Sequence, residues 1–137
     1  MTVVVDASIA LKWFVPESLR EEAMDILRAE EHIAAPDLLI PELAGLVLEK
    51  IKRNEITSLQ AETILSGLQS SCLNLIPAAG IFSRAVEIAR TLDLSVYRCF
   101  YVAAAEQLDT TFVTADLKFC AAARDTGFDG IVQALAA

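Results

Sequence analysis

Four ionic residues stand where they are able to do chemistry. Asp6 follows directly on Val3-Val4-Val5, an uninterrupted β-branched run that reads as a strand buried on both faces. Asp116 lies two residues after Thr114, the last residue of a second such run, Thr111-Phe112-Val113-Thr114. Ligands of parallel sheets sit at the carboxyl ends of the strands, so both acids are placed to meet one. Each acid also suits the N-cap of the helix that follows it, with Ser8 as an alternative cap for the first, and both roles stay open. Glu42 shares a helical face with Leu38, Leu39, Gly45 and Leu46, and an acid on an apolar face needs a partner. Arg98 falls in V-Y-R-C-F-Y-V-A-A-A, a helix apolar almost all round, which directs it to a buried or cleft-lining place facing carboxylates.

The elements that must position these residues alternate along the chain. Strands are expected at Val3–Val5, Ile33–Ala35, Leu73–Ile76, Thr111–Thr114 and Ile131–Val132. Helices are expected at Ala7–Phe14, Ser18–Glu31, Thr57–Ser71, Ile81–Leu92, Val96–Leu108 and Asp116–Arg124, the last stopped by Gly127. A further helix runs to Arg53, capped by Asp37 and tolerating Pro41 in its first turn. Short apolar strands alternating with helices imply an α/β fold, a parallel sheet covered on both faces.

Composition narrows the functional classes. The chain has 137 residues, 55% of them apolar and 22% charged, which suits one domain over residues 1–137 with a substantial core. A net charge of −8 disfavours a general nucleic-acid coater, so phosphate chemistry needs a metal ion, a local basic patch or a second chain. The cysteines Cys72, Cys99 and Cys120 form no C-x-x-C pair, and one histidine, His32, makes a histidine-rich metal site or a Ser-His-Asp triad a poor choice. With no basic leader and no long apolar stretch, a soluble cytoplasmic protein without membrane association is expected. The apolar excess predicts a homodimer or a tight complex with a partner protein.

V-V-V-D-A-S-I-A-L-K-W-F-V-P-E (Val3 to Glu17) resembles the opening of PIN-domain proteins, in the branch of VapC-type toxins of bacterial toxin–antitoxin modules. The resemblance continues through A-P-D-L-L-I-P-E-L-A (Ala35 to Ala44), Y-R-C-F-Y-V-A-A-A-E-Q-L (Tyr97 to Leu108) and F-V-T-A-D (Phe112 to Asp116), over essentially the whole chain. It implies a three-layer α/β/α fold with a short central parallel sheet, a homodimer, a cognate antitoxin, and Mg²⁺- or Mn²⁺-dependent cleavage of RNA. The family's catalytic acids fall on Asp6, Glu42 and Asp116, with Asp6 and Asp116 toward the metal and the hydroxyls of Ser8 and Thr114 in support. Such carboxylates hold a hydrated ion that orients water and polarises phosphoryl oxygens.

The chain departs from that pattern at two positions. Arg98 stands where the family carries a metal-holding aspartate, and Gly45 where an asparagine often follows the glutamate. Glu106 is no substitute, because eight residues of helix separate it from Arg98 by roughly 12 Å. Clustered carboxylates at about 4 Å repel by about 4 kcal/mol per pair at an effective dielectric of 20, so such a site needs a metal or an internal cation. Arg98 is therefore expected to pair with at least one acid and to weaken Mg²⁺ binding and nuclease activity. The competing geometry has it swing outward to RNA phosphate while Asp6 and Asp116 keep a metal. An impaired endoribonuclease toxin is one reading, and a catalytically inactive PIN-fold protein that still binds antitoxin or RNA is the other. A phosphoacceptor receiver is disfavoured, since one acid stands at the first strand end and no lysine follows Lys118. Lys50-Ile51-Lys52-Arg53 reads as a solvated helix end, Trp13 and Phe14 as core or interface, and His32 as a solvated loop residue.

Overall fold

A computed structural model of the chain describes residues 2–29, 32–71 and 73–136. Among them, five strands form one wholly parallel sheet: β1 (Thr2–Val5), β2 (His32–Pro36), β3 (Leu73–Ile76), β4 (Phe112–Thr114) and β5 (Val132–Ala134). The helices are α1 (Ala7–Lys12), α2 (Arg20–Ala29), α3 (Leu39–Lys52), α4 (Ser58–Gln69), α5 (Phe82–Leu92), α6 (Val96–Gln107) and α7 (Leu117–Ala123). A short 3-10 turn, Ala78–Gly80, precedes α5. The layers are α/β/α, as the alternation of apolar strands and helices implies.

The spatial order of the strands is β3-β2-β1-β4-β5. The chain builds outward from β1 through β2 to β3, then returns by way of α5 and α6 to place β4 on the other side of β1. The order therefore reverses between β1 and β4, which opens a crevice beyond their carboxyl ends. A receiver fold would instead set its first strand between its second and third. Central position explains the composition of the two strands: Val3, Val4 and Val5 are all buried, as are Phe112, Val113 and Thr114. The edge strand β3 leaves Asn74 and Leu75 exposed.

Helix α6 packs over β1, β2 and β4, with α5 beside it, while α1 packs on α2 and α3. Its apolar composition follows from that burial: Cys99, Tyr101, Val102, Ala104 and Ala105 are each 0% exposed. Trp13 belongs to the core, its indole N–H donating to the Ala23 carbonyl at 3.0 Å. Thr57 caps α4 in a reciprocal box with Gln60, the hydroxyl accepting from the Gln60 N–H at 3.1 Å.

Several expectations need correction. Asp37 does not cap α3; its carboxylate accepts from the Ala78 N–H at 3.1 Å, and α3 begins without a side-chain cap. The turn after α7 is made by Asp125, at φ 63, and not by Gly127, because the short polar side chain of aspartate tolerates the left-handed region. β5 starts one residue later than the expected Ile131–Val132 and runs on to Ala134, and His32 opens β2 as an exposed strand end. α2 spans Arg20–Ala29, whereas Glu30, Glu31 and Cys72 fall outside the described residues. Lys50 is no freely solvated helix end: its ammonium meets Glu17 at 3.0 Å and Glu55 at 2.9 Å. Among the described residues, no helix is long and apolar enough to cross a membrane.

Candidate active site

The parallel pairing of β1 with β4 sets the end of one strand against the end of the other, with Val5 opposite Val113. Asp6 and Thr114 follow these residues, and the Thr114 hydroxyl donates to Asp6 Oδ2 at 2.6 Å. Asp6 is 1% exposed. Its Oδ1 caps α1 by accepting from the Ile9 N–H at 3.2 Å and also accepts from the Ser8 hydroxyl at 2.6 Å. Capping and a place in the site thus coexist in one carboxylate, since a strand-to-helix junction puts the free N–H groups of the helix beside the strand end.

Arg98 reaches this carboxylate from the first turn of α6. Its Nη2 donates to Asp6 Oδ2 at 3.0 Å and to Thr114 Oγ1 at 2.8 Å. Its Nε lies 3.6 Å from Asp116 Oδ2, too far for a hydrogen bond, and is buried without a partner among the described residues. Asp116 in turn caps α7, accepting from the Phe119 N–H at 3.1 Å, and its own N–H donates to Thr114 Oγ1 at 3.1 Å. The guanidinium carbon stands 5.4 Å from the ring centre of Phe119, 5.6 Å from Phe112 and 5.8 Å from Tyr101. Arg98 is therefore held on its polar edge by acids and a hydroxyl and on its faces by aromatic rings.

Glu42 enters from α3 and lines a cleft of about 350 Å³ with Ala7, Ser8, Gly45, Leu46 and Arg98. One of its oxygens accepts a hydrogen bond from the hydroxyl of Tyr101, which is 0% exposed and stacks on Phe112 at 5.1 Å. Burial, and next the bond to Glu42, push the phenol well above its ordinary range, so it stays a donor. Gly45 leaves open space, since a Cβ there would meet nothing within 4 Å.

The structure thus links Asp6, Thr114, Asp116 and Ser8 through Arg98 and direct hydrogen bonds, and sets Glu42 in the same cleft as Ser8 and Arg98. Glu106 lies away from it, paired with Arg84 at 2.6 and 2.9 Å. Tyr101 is the side chain bonded to a candidate acid that sequence reasoning missed. A signal existed: it stands three residues after Arg98 on one helical face, and a buried tyrosine hydroxyl seeks an acceptor.

Residues 3–125 match the family model of the PIN domain. The chain belongs to the PIN-domain family. Within it, the chain is of the VapC type: it is 31% identical over 125 residues to the protein named Ribonuclease VapC9 of Mycobacterium tuberculosis, covering 91% of each. Solved structures share the PIN fold. PAE2754 from Pyrobaculum aerophilum has a TM-score of 0.71 at 18% identity over 97% of this chain and 83% of that one. A toxin–antitoxin complex from Klebsiella pneumoniae has a TM-score of 0.65 at 19% identity over 95% and 94%.

VapC ribonucleases of this family generally use divalent metal ions. The side chains of this PIN domain do not fit such an ion as they are arranged. Both Asp6 oxygens are already taken, by two donors each. One Asp116 oxygen is committed to its cap and the other faces Arg98. Among the described residues, no group of three or more His, Cys, Asp or Glu side chains is arranged to hold a metal.

Proposed function

We propose that this PIN-domain chain is the toxin of a toxin–antitoxin pair and an endoribonuclease, with the cleft of Asp6, Glu42 and Asp116 as the place where RNA is engaged. The observation that carries the reading is the position of Asp6 and Asp116 at the crevice where strand order reverses, in a chain of the VapC type. Within the cleft, Thr114 and Ser8 hold Asp6 in one orientation, and Tyr101 holds Glu42. Arg98 presents a permanent positive charge, the kind of group that recognises phosphate oxygens. Fixed donors and acids of this sort act by positioning and by charge already in place, with no reorganisation during reaction.

The finer parts of the reading are a cognate antitoxin as the protein partner, a homodimer, an intracellular place of action, and Mg²⁺ or Mn²⁺ as the metal in those relatives that use one. The exposed Leu48 and Leu65 beside the apolar groove between α3 and α4 support a protein partner. Purified protein incubated with RNA, beside Asp6→Asn and Asp116→Asn variants, tests the activity; cleavage by wild type that both variants lose is the expected result. Light scattering tests the dimer, and co-purification with the product of an adjoining reading frame tests the antitoxin.

A second reading is favoured by the Arg98 to Asp6 contact: a PIN-fold protein that binds RNA or antitoxin without cutting. RNA retained by wild type, with no cleavage in any metal, would select it.

A further inference from the structure

Resting on the reading of this cleft as the RNA-facing site, we infer that Arg98 takes the divalent cation's place, so that the wild-type carboxylates are neutralised from within the chain and do not load Mg²⁺ or Mn²⁺. The guanidinium lies between Asp6 and Asp116, the two strand-end acids, with Nη2 on one and Nε turned to the other. A metal would have to displace it from Asp6 Oδ2 and from Thr114 Oγ1 together. Displacement would leave the largely buried guanidinium without its carboxylate while the incoming ion shed part of its own water shell.

Release by rotation is opposed from three further sides. Phe112, Phe119 and Tyr101 enclose the guanidinium at 5.4–5.8 Å, and its stem leaves a helix packed on β1, β2 and β4. The open volume beside Gly45 adds space to the cleft but no oxygen donor. Glu42, tied to Tyr101, is the remaining acid of the cleft, and a single carboxylate is a weak site for a hard cation.

Calorimetric titration with Mn²⁺, with free Mn²⁺ read by electron paramagnetic resonance, tests the inference on wild type, Arg98→Asp and Arg98→Gln. Wild type is expected to show no saturable binding tighter than about 1 mM, and Arg98→Asp to bind at least about tenfold tighter, with a higher melting midpoint when Mn²⁺ is added. Should Arg98→Asp fail to fold by circular dichroism, Arg98→Gln decides alone: a gain in Mn²⁺ affinity supports the substitution and no gain overturns it. Saturable wild-type binding below that concentration also overturns it. The RNA assay separates this outcome from the functional reading. Wild type that cuts RNA with chelator present supports both, and wild type that binds and requires Mn²⁺ keeps the nuclease but refutes the role of Arg98. Wild type that neither binds metal nor cuts RNA keeps the role of Arg98 and refutes the nuclease.

Discussion

Replacing Asp6 by alanine distinguishes two opposite electrostatic pictures of the cleft. If the three acids stood together without an internal cation, their mutual repulsion would be relieved and the variant would be more stable. In the structure, Asp6 receives four hydrogen bonds, from Ser8, Ile9, Thr114 and Arg98, and its side chain is 2% exposed against 21% for Arg98. Breaking a buried ion pair from one side costs about 3–5 kcal/mol, and the partial exposure of Arg98 sets the value near 3. Loss of the cap on α1 adds about 1 kcal/mol. Asp6→Ala should therefore lose about 4 kcal/mol, a large share of the 5–15 kcal/mol typical of a domain. Urea unfolding reads this as a lower midpoint at unchanged slope. A double-mutant cycle with Arg98→Ala should show that the two losses overlap, the second substitution costing little once the first is made. An unchanged or raised midpoint in Asp6→Ala would refute the paired geometry.

Three further outcomes follow from other contacts. Tyr101→Phe removes the donor to Glu42, and because Glu42 is only half-buried water replaces part of the bond; a loss of about 1 kcal/mol is expected by urea unfolding. Burial alone would raise the Glu17 carboxyl, but hydrogen bonds from Lys12 and Lys50 outweigh it, and the bond from Arg84 lowers Glu106. Both groups are depressed in the folded state, so their contribution is complete above the ordinary value of 4.5 and is lost as pH falls through the folded values. Glu17→Gln and Glu106→Gln should each flatten the acid limb of a stability-versus-pH curve, whereas an unaltered limb in both would refute the pairing. A Cβ at Gly67 would stand 2.5 Å from the Phe14 ring, and a clash cost of about 1–3 kcal/mol against the helical gain of about 0.5–1 leaves Gly67→Ala less stable by up to about 2 kcal/mol, while Gly45→Ala, in open space on α3, should keep that gain in full; thermal midpoints moving in the same direction would contradict this.

Much of the molecule could be read locally because the physics is local. A three-residue β-branched run cannot satisfy itself except inside a sheet, so Val3–Val5 declared a buried strand, and the side chain at its end, Asp6, inherited its position by covalent adjacency. Thr57 and Gln60 declared a helix start because a capping box closes within three residues. The oddity of Glu42 and Arg98 was legible too, since each is an ion on an apolar face. That Arg98 faces acids was legible as well; which acid it meets, and what Glu42 meets, were not. Arg98 meets Asp6 across 92 positions and Tyr101 meets Glu42 across 59, and neither separation carries a signal in one chain.

Tertiary structure decided those meetings through strand order. With β4 beside β1, Thr114 reaches Asp6 and holds Asp116 beside it through the Asp116 N–H, and α6, packed across both strands, delivers the guanidinium to all three. The same cause redirected Asp37, whose carboxylate found a nearer donor in Ala78 once β3 lay alongside β2, instead of capping its own helix. Residue types and local spacing determined which groups were able to do chemistry. The order in which five short strands lie side by side determined that a guanidinium, held by ring faces and two hydroxyl-linked acids, stands among them.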